Sequence, residues 1–497
     1  MKKIFIILTS VLFLFVLVAC GPGTNEPDPN PDPDPNPNPD PDPDETKYDL
    51  GGIDFVIMVD NGQRSDPRSS IYERLFKEEK AALISKVEEK YNIKVVFQTY
   101  PTNASWGGAR ERYIIEESAL KTQSAHVYEI ISTSLGNLAE QDAIVPLDDY
   151  IDAYGSKNFW ESKKAFGLVK GSYYGYDDQF PIADKGLYYN VDLMGRVLGT
   201  TRKNEPLELW KKGEWTWEKF AELANTLKSG LNHLRSDEDG GPQYVFGGRT
   251  YNWAYGFIGA NGGQLVDDEF NTYLTSKPVL DALEYLNGLY QVPGMWIDDA
   301  SLSNTSQPQF SAGNVVFQDG ESWHITASNK WGNANFPINF IPYPVGPNIN
   351  EDKSNYRSLY VGGKSTHVIS SSFAKANIPP GYEDLMIHDE IIFKIWADMQ
   401  YFPETLEEVQ DDFYNTRLRS SYESADSREI HLELIDNTYP DNFYSVAESL
   451  NQVEGSFMLM IQQSIRSGDV RNVMTSTESS LRAILIERFK LGEGFYN

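Results

Sequence analysis

Apolar and polar positions divide the chain into three zones. Lys2 and Lys3 precede an apolar run from Ile4 to Ala19, broken only by Thr9 and Ser10. Residues 27–44 then alternate Pro with Asp or Asn at every second position. From Ile53 onward, short apolar runs alternate with helical spacing. Ile53–Val59 follows a Gly-Gly turn and reads as a buried strand, and Lys94–Phe97 and Val127–Ser132 read the same way. Between them, Tyr72–Tyr91 puts Leu75, Phe76, Leu83, Ile84 and Val87 on one side of a helix, and Ile114–Leu120 fits another. Strand, helix, strand, helix, strand predicts a parallel sheet covered by helices. Leu135–Ala139 begins a further helix.

A second region repeats the alternation. Gly186–Asn190, Val315–Phe317 and Phe340–Ile341 read as strands. Trp217–Lys228 is an amphipathic helix with Thr216 placed to cap it, and Lys277–Leu289 repeats Leu every three residues. The C-terminal part is mostly helical, over Asp389–Met399, Tyr444–Ile461 and Ser479–Leu491. No internal repeat of fixed period is visible. The fold class is α/β in two lobes.

The N-terminal run has 16 residues, short of the roughly 18–20 that span a bilayer comfortably. A basic start before a short apolar stretch is the pattern of a secretory signal, with an uncleaved anchor as the alternative. The run ends in Leu17-Val18-Ala19-Cys20-Gly21, which resembles the lipobox of bacterial lipoproteins. That resemblance implies that residues 1–19 are a removable signal peptide and that Cys20 becomes a diacylated N-terminus. The competing reading is a cysteine buried by chance after an apolar run. Cys20 is the only cysteine, so no disulfide forms within the chain. Residues 20–46 then hold the lipidated cysteine and a spacer. The Pro-Asp/Asn segment favours extended polyproline II at roughly 3.1 Å per residue, a reach of about 55 Å.

Composition narrows the function. The net charge is −29, and the spacer's Glu26, Glu45 and six Asp account for only part of it. No basic stripe exists to neutralise phosphates, which excludes nucleic acid as a partner and disfavours direct adhesion to anionic lipid. Aromatic residues reach 13%, with 29 Tyr and 10 Trp. This suits a ligand with flat, weakly polar faces, such as a sugar; large cores and a Tyr-rich surface would also account for much of it.

Several segments, in order, resemble the family 1 extracellular solute-binding proteins of ABC importers, the group that includes maltose-binding protein. Ala125–Ile131 is similar to that family's third strand, although His126 and Glu129 depart from its usual Pro-Asp. Leu138–Gln141 with Pro146–Tyr150, and Tyr173–Tyr176 with Pro181–Ala183, resemble the segments that follow. Leu187–Leu193 resembles the family's Tyr-Asn-Lys-Asp-Leu-Phe motif, and Trp215–Phe220 its helix start. Phe310–Asn314, Gly320–Trp323 and Phe340–Pro344 continue the series. The resemblance implies a two-lobed periplasmic-binding-protein type II fold with discontinuous lobes joined by hinge crossings near 180–184, 341–344 and 400. Lobe 1 would comprise 47–182 and 343–400, and lobe 2 would comprise 183–342 and 401–497. Ligand would lie in the cleft between lobes that close by hinge bending.

A sugar pocket needs aromatic platforms for ring faces and carboxylates, amides or Arg for the hydroxyls. Trp323 follows the Gly320 turn, where the family often places a stacking tryptophan; a core role is the alternative. Tyr251 and Trp253 are platforms or core residues with equal warrant. Asp184, at the first crossing, is either placed to accept from hydroxyls or an ordinary hinge-surface carboxylate. Asp60, Asn61 and Gln63 follow the first strand, and Ser132, Thr133 and Ser134 the third, where ligands of such sheets collect. A turn and a helix cap are the plainer readings. Gly362 and Gly363 either admit a ligand to the backbone or turn the chain.

Catalytic and metal-binding patterns are missing. There is no G-x-S-x-G elbow, no H-E-x-x-H, and no His/Cys group with zinc spacing. Gly362-Gly363-Lys364-Ser365 imitates the end of a P-loop, but Ser358 stands where the first Gly is required. Asp237–Gly240 lacks the rest of a calcium loop, and the Asp177/Asp178 pair is expected by chance in so acidic a chain. The expectation is a non-enzymatic, cofactor-free monomer, lipid-anchored outside the cytoplasmic membrane. It would bind a small-molecule ligand, a carbohydrate above all, and hand it to ABC permease subunits. The alternatives are the same fold with a peptide, polyamine or metal complex, or a surface glycan-processing enzyme or adhesin.

Overall fold

The computed structural model describes residues 48–72, 74–122, 124–159, 166–179, 185–234, 242–297, 306–327, 330–351, 353–360, 365–371, 388–441, 443, 457–489, 491–492 and 494–496. Cys20 and the spacer lie outside them, as do Asp184, Gly362, Gly363 and the first half of the expected helix Tyr444–Ile461.

Two sheets organise the described chain. The elements that open it are β1 (Ile53–Val59), α1 (Lys77–Tyr91), β2 (Ile93–Thr99), α2 (Gly107–Leu120) and β3 (Val127–Ile131). There follow β4 (Gly186–Asn190), α3 (Trp217–Leu234), β5 (Tyr244–Gly247), α4 (Thr250–Gly259) and α5 (Lys277–Tyr290). The rest comprises β6 (Val315–Gly320), β7 (Ile338–Ile341), β8 (Ser358–Tyr360) and β9 (Ser365–Val368). The C-terminal part adds α6 (His388–Asp398), α7 (Leu406–Phe413), β10 (Thr438–Pro440), α8 (Phe457–Ser467) and α9 (Val470–Phe489).

In the first sheet the strand order is β9-β3-β1-β2. β1 runs parallel to β2 and β3, and β9 joins β3 antiparallel. Side chains alternate across it as the pleat requires. Phe55, Ile57, Val59 and Val127 pack on one face with α1 and α6 residues such as Ile84, Phe393 and Trp396. Met58, Tyr128, Ile130 and Val368 pack on the other with Ile114 of α2 and Leu138. The second sheet has the order β5-β6-β4-β7, with β5 and β6 parallel and β4 antiparallel to both its neighbours. Its core is larger and strongly aromatic, including Phe220, Phe246, Trp253, Phe257 and Phe317. A short parallel pair, β8 with β10, stands apart from both.

The cores locate the passages of chain between lobes. The first lies between Tyr176 and Leu187, and the third between Phe402 and Phe413. The second differs from the expected 341–344. Tyr343, Tyr356 and Leu359 all pack in the larger core, and the chain rejoins the first sheet at Ser365 of β9. The reason is local: Tyr343 sits edge-on to Trp253 and Phe257, and the Trp215 indole N–H donates to the Pro342 carbonyl at 2.8 Å. The helix expected from Tyr72 starts only at Lys77, because Phe76 adopts a left-handed backbone (φ 57°) and packs its ring 5.0 Å from Tyr401. Among the described residues no helix is long and apolar enough to cross a membrane.

Candidate functional site

The carboxyl ends of parallel strands leave backbone and side chains open at one edge of a sheet, and both sheets concentrate charge there. In the second sheet, β6 continues through the polar residues Gln318-Asp319-Gly320 because they pair with Gly186–Tyr188. This carries Asp319, Glu321 and Trp323 to the same edge as Gly248 and Arg249, which follow β5. Trp323, on a short 3-10 turn (Ser322–Ile325), is 39% exposed, rare for so large an apolar ring. Its indole N–H donates to Glu321 Oε2 at 2.8 Å, and the Lys330 ammonium lies 5.6 Å from its ring. Lys185 approaches the other Glu321 oxygen at 3.7 Å. The indole's N–H edge thus meets a carboxylate that is paired with Lys185, and a second cation, Lys330, stands over the ring.

Asp319, at the end of β6, is buried. Its carboxylate accepts from the Asn252 amide at 2.8 Å and the Gln318 amide at 3.1 Å. Burial pushes its pKa up to about 6, against the opposing pull of Asn252 and Arg249. Arg249 Nη1 donates to the Tyr251 hydroxyl at 2.6 Å. Burial and the Arg249 charge together lower the Lys330 pKa. Gly248 is required here: its φ is +106°, and a Cβ would stand 1.5 Å from Asp319 Oδ1.

In the first sheet the edge is built on a buried ion pair. Glu129 of β3 takes the place of the expected aspartate, pairs with Arg74, and accepts from the Asp60 N–H at 3.2 Å. Burial would raise the Glu129 pKa, but Arg74 and His367 hold it below the ordinary carboxylate range. His126, the other departure, accepts from the Val56 N–H through Nδ1 at 3.0 Å and stacks on Phe55. Burial lowers its pKa to about 4, so the ring is neutral. Asp60 itself is 58% exposed, held by Arg110 Nη2 at 2.9 Å.

The sequence candidates therefore separate. Trp323 and Asp60 present surface to solvent at their sheet edges. Tyr251 is buried; its hydroxyl accepts from Arg249, whose guanidinium also lies 5.7 Å from the Tyr251 ring. Trp253 is a core residue: it is fully buried among Phe220, Phe246, Phe257 and Trp296, and its N–H is held by the Gly247 carbonyl at 2.8 Å. Asn61 caps the short helix Gly62–Ser65 by accepting from Gln63 N and Arg64 N, so its carbonyl is engaged; Gln63 is exposed. Thr133 and Ser134 are buried, with Ser134 donating to Glu111 at 2.7 Å, while Ser132 is half-buried. Arg110, Arg249, Glu321 and Lys330 escape sequence reading; contacts such as Arg110 with Asp60 and Glu321 with Lys185 join segments far apart in the chain. Among the described residues no group of His, Cys, Asp and Glu is arranged to hold a metal.

Two lobes, each an α/β sheet with polar groups gathered at its strand ends, define a solute-binding architecture. Residues 82–377 match the family model described as bacterial extracellular solute-binding protein, and the chain belongs to that family. A search of the curated proteins gives no match. Among solved structures, UgpB from Mycobacterium tuberculosis, in complex with glycerophosphocholine, is similar at TM-score 0.56 and 14% identity; 88% of this chain and 99% of that one are covered. The ABC substrate-binding protein Lmo0181 from Listeria monocytogenes, in complex with cycloalternan, is similar at 0.53 and 15%, over 87% and 99%. The sugar-binding protein MalE from Xanthomonas citri is similar at 0.53 and 15%, over 89% and 99%. At such identities the likeness describes the two-lobed fold.

Proposed function

We propose that this protein is a lipid-anchored receptor that captures a carbohydrate between its lobes and delivers it to an ABC importer. The observation that carries the reading is Trp323: a solvent-facing indole that meets Glu321 and Lys330, with Lys185 paired to Glu321 and with Asp319 and Arg249 at the same sheet edge. A pyranose presents C–H groups on its faces and hydroxyls at its rim, and this arrangement offers a partner to each. The oligosaccharide bound by the Listeria relative and the sugar-binding role of the Xanthomonas one support the same class. Cys20, through its lipobox resemblance, supplies the anchor, and tethering raises the effective concentration of a receptor near its transporter.

The test is a thermal-shift screen over mono- and oligosaccharides, because a ligand that binds only the folded state raises the melting temperature. A sugar that stabilises the protein, is returned without new reducing ends, and loses affinity with Trp323→Ala supports the receptor. Turnover of the sugar, or an absence of any sugar that binds, overturns it. Cys20→Ser should release the protein from membranes and abolish incorporation of labelled fatty acid.

A further inference from the structure

We infer that Trp106, on the first lobe, is a second aromatic platform, and that with Asp60 it forms a separate subsite for another ring of an oligosaccharide. The inference rests on the carbohydrate reading above and adds a second site to it.

Among the described residues five large hydrophobic side chains are exposed, and two of them are tryptophans, Trp106 at 58% and Trp323 at 39%. They belong to different lobes, and each indole stands beside a cation and a carboxylate. Trp106 follows β2 at the start of α2, with extended backbone on a short turn anchored by the fully buried Ala104. Gly107 behind it takes φ +54°, a conformation that turns the chain sharply and leaves the indole projecting.

Arg110 organises this corner. Its guanidinium carbon lies 5.5 Å from the Trp106 ring and 4.1 Å from the Tyr100 ring, with the side chain almost wholly buried. Nη2 donates to Asp60 Oδ1 at 2.9 Å and to the Ser105 carbonyl, while the buried Nε has no partner among the described residues. One guanidinium therefore fixes a platform, its loop and an exposed carboxylate together. Asp60 Oδ1 is occupied by Arg110, and Oδ2 faces outward with no hydrogen bond among the described residues. A flat apolar face beside a free carboxylate oxygen is the recognition pattern of a pyranose: C–H groups on the indole, a rim hydroxyl donating to the carboxylate. Platforms on separate lobes, each beside its own carboxylate, let a longer chain stack a different ring on each.

The experiment is a titration of wild type, Trp106→Ala, Trp106→Phe and Trp323→Ala. The probes are glucose and the maltose to maltotetraose series, and N-acetylglucosamine with its di- to tetrasaccharides. Trp106→Ala should weaken the tri- and tetrasaccharides about fivefold to tenfold, with monosaccharide affinity within about twofold of wild type. Trp106→Phe should restore most of the loss. Unchanged affinity at every length in Trp106→Ala, while Trp323→Ala weakens binding, overturns the subsite and leaves the receptor standing. Equal losses for mono- and oligosaccharides also overturn it, since one ring would then use the platform. Binding of no sugar by the wild type overturns this inference together with the carbohydrate reading. Melting temperatures of the variants report that each is folded.

Discussion

Lys80 holds its ammonium 2.7 Å from Asp178 Oδ1, with both side chains buried. Burial alone would lower the Lys80 pKa, but the carboxylate keeps it above its ordinary value. The other Asp178 oxygen accepts from Tyr401 N at 2.9 Å, and Asp178 N donates to the Gln400 side chain at 3.1 Å. One ion pair thus ties helix α1 to the chain at the first passage between lobes and at the residues that lead into the third. Lys80→Met should cost about 3–5 kcal/mol, because it strands a buried carboxylate. Combining it with Asp178→Asn should recover part of the loss. Urea unfolding of the three variants measures this, and a loss under about 1 kcal/mol for Lys80→Met would sink the assignment.

The two tryptophans of the second lobe make a paired prediction. Trp253→Ala opens a hole in the aromatic core and should lower stability by about 3–5 kcal/mol. Trp323→Ala removes a half-exposed ring and should change stability by about 0.5 kcal/mol or less, while weakening ligand. Denaturation midpoints and binding titrations on the same preparations separate core from site.

Gly248 supports the site through its missing side chain. Gly248→Ala forces a methyl onto Asp319 and a residue with Cβ into φ +106°, a strain of about 1–3 kcal/mol. Asp319 must move, so affinity should fall roughly tenfold, about 1.4 kcal/mol. Calorimetric titration checks it, and an unchanged dissociation constant would place Asp319 outside the binding machinery.

A buried carboxyl predicts a pH signature. Asp441 accepts from Leu265 N, Val266 N and Phe443 N, yet burial still pushes its pKa up to about 6. A folded-state pKa above the unfolded value of 3.8 means that the contribution is most favourable below pH 3.8. It declines as pH rises to about 6 and is constant beyond. Relative to Asp441→Asn, the wild type should lose about 2 kcal/mol between pH 4 and pH 7. Urea midpoints across that range test it; a gap independent of pH would show that Asp441 does not titrate there.

Much of this architecture is legible where local pattern and tertiary need coincide. The apolar runs at Ile53–Val59 and Val127–Ile131 become central strands because both faces of their sheet are covered. β9 is the opposite case: Ser365-Thr366-His367 has no strand signature, and it pairs only because β3 offers an open edge. Phe76 has helical periodicity but is drawn out of the helix by Tyr401, more than three hundred residues away in the chain, with its N–H on Asp412 at 3.2 Å. At the site, Trp323 is readable from the Gly turn before it. Glu321 and Lys185 are separately unremarkable, and their approach exists only once β4 pairs with β6.

The return of β9 to the first sheet sets an order of assembly. Ser118 of α2 meets Ser371 through their hydroxyls at a separation of 253 residues, and Phe393 and Trp396 of α6 fill the first core from further downstream still. A ribosome that has released β1, β2 and β3 has therefore made a sheet with one edge bare and one face only partly covered. The lobe that begins first is completed only after most of the other has been synthesised. Such long-range closure is slow. The first lobe is therefore expected to stay open for most of translation, a state compatible with a channel that moves unfolded polypeptide across a membrane.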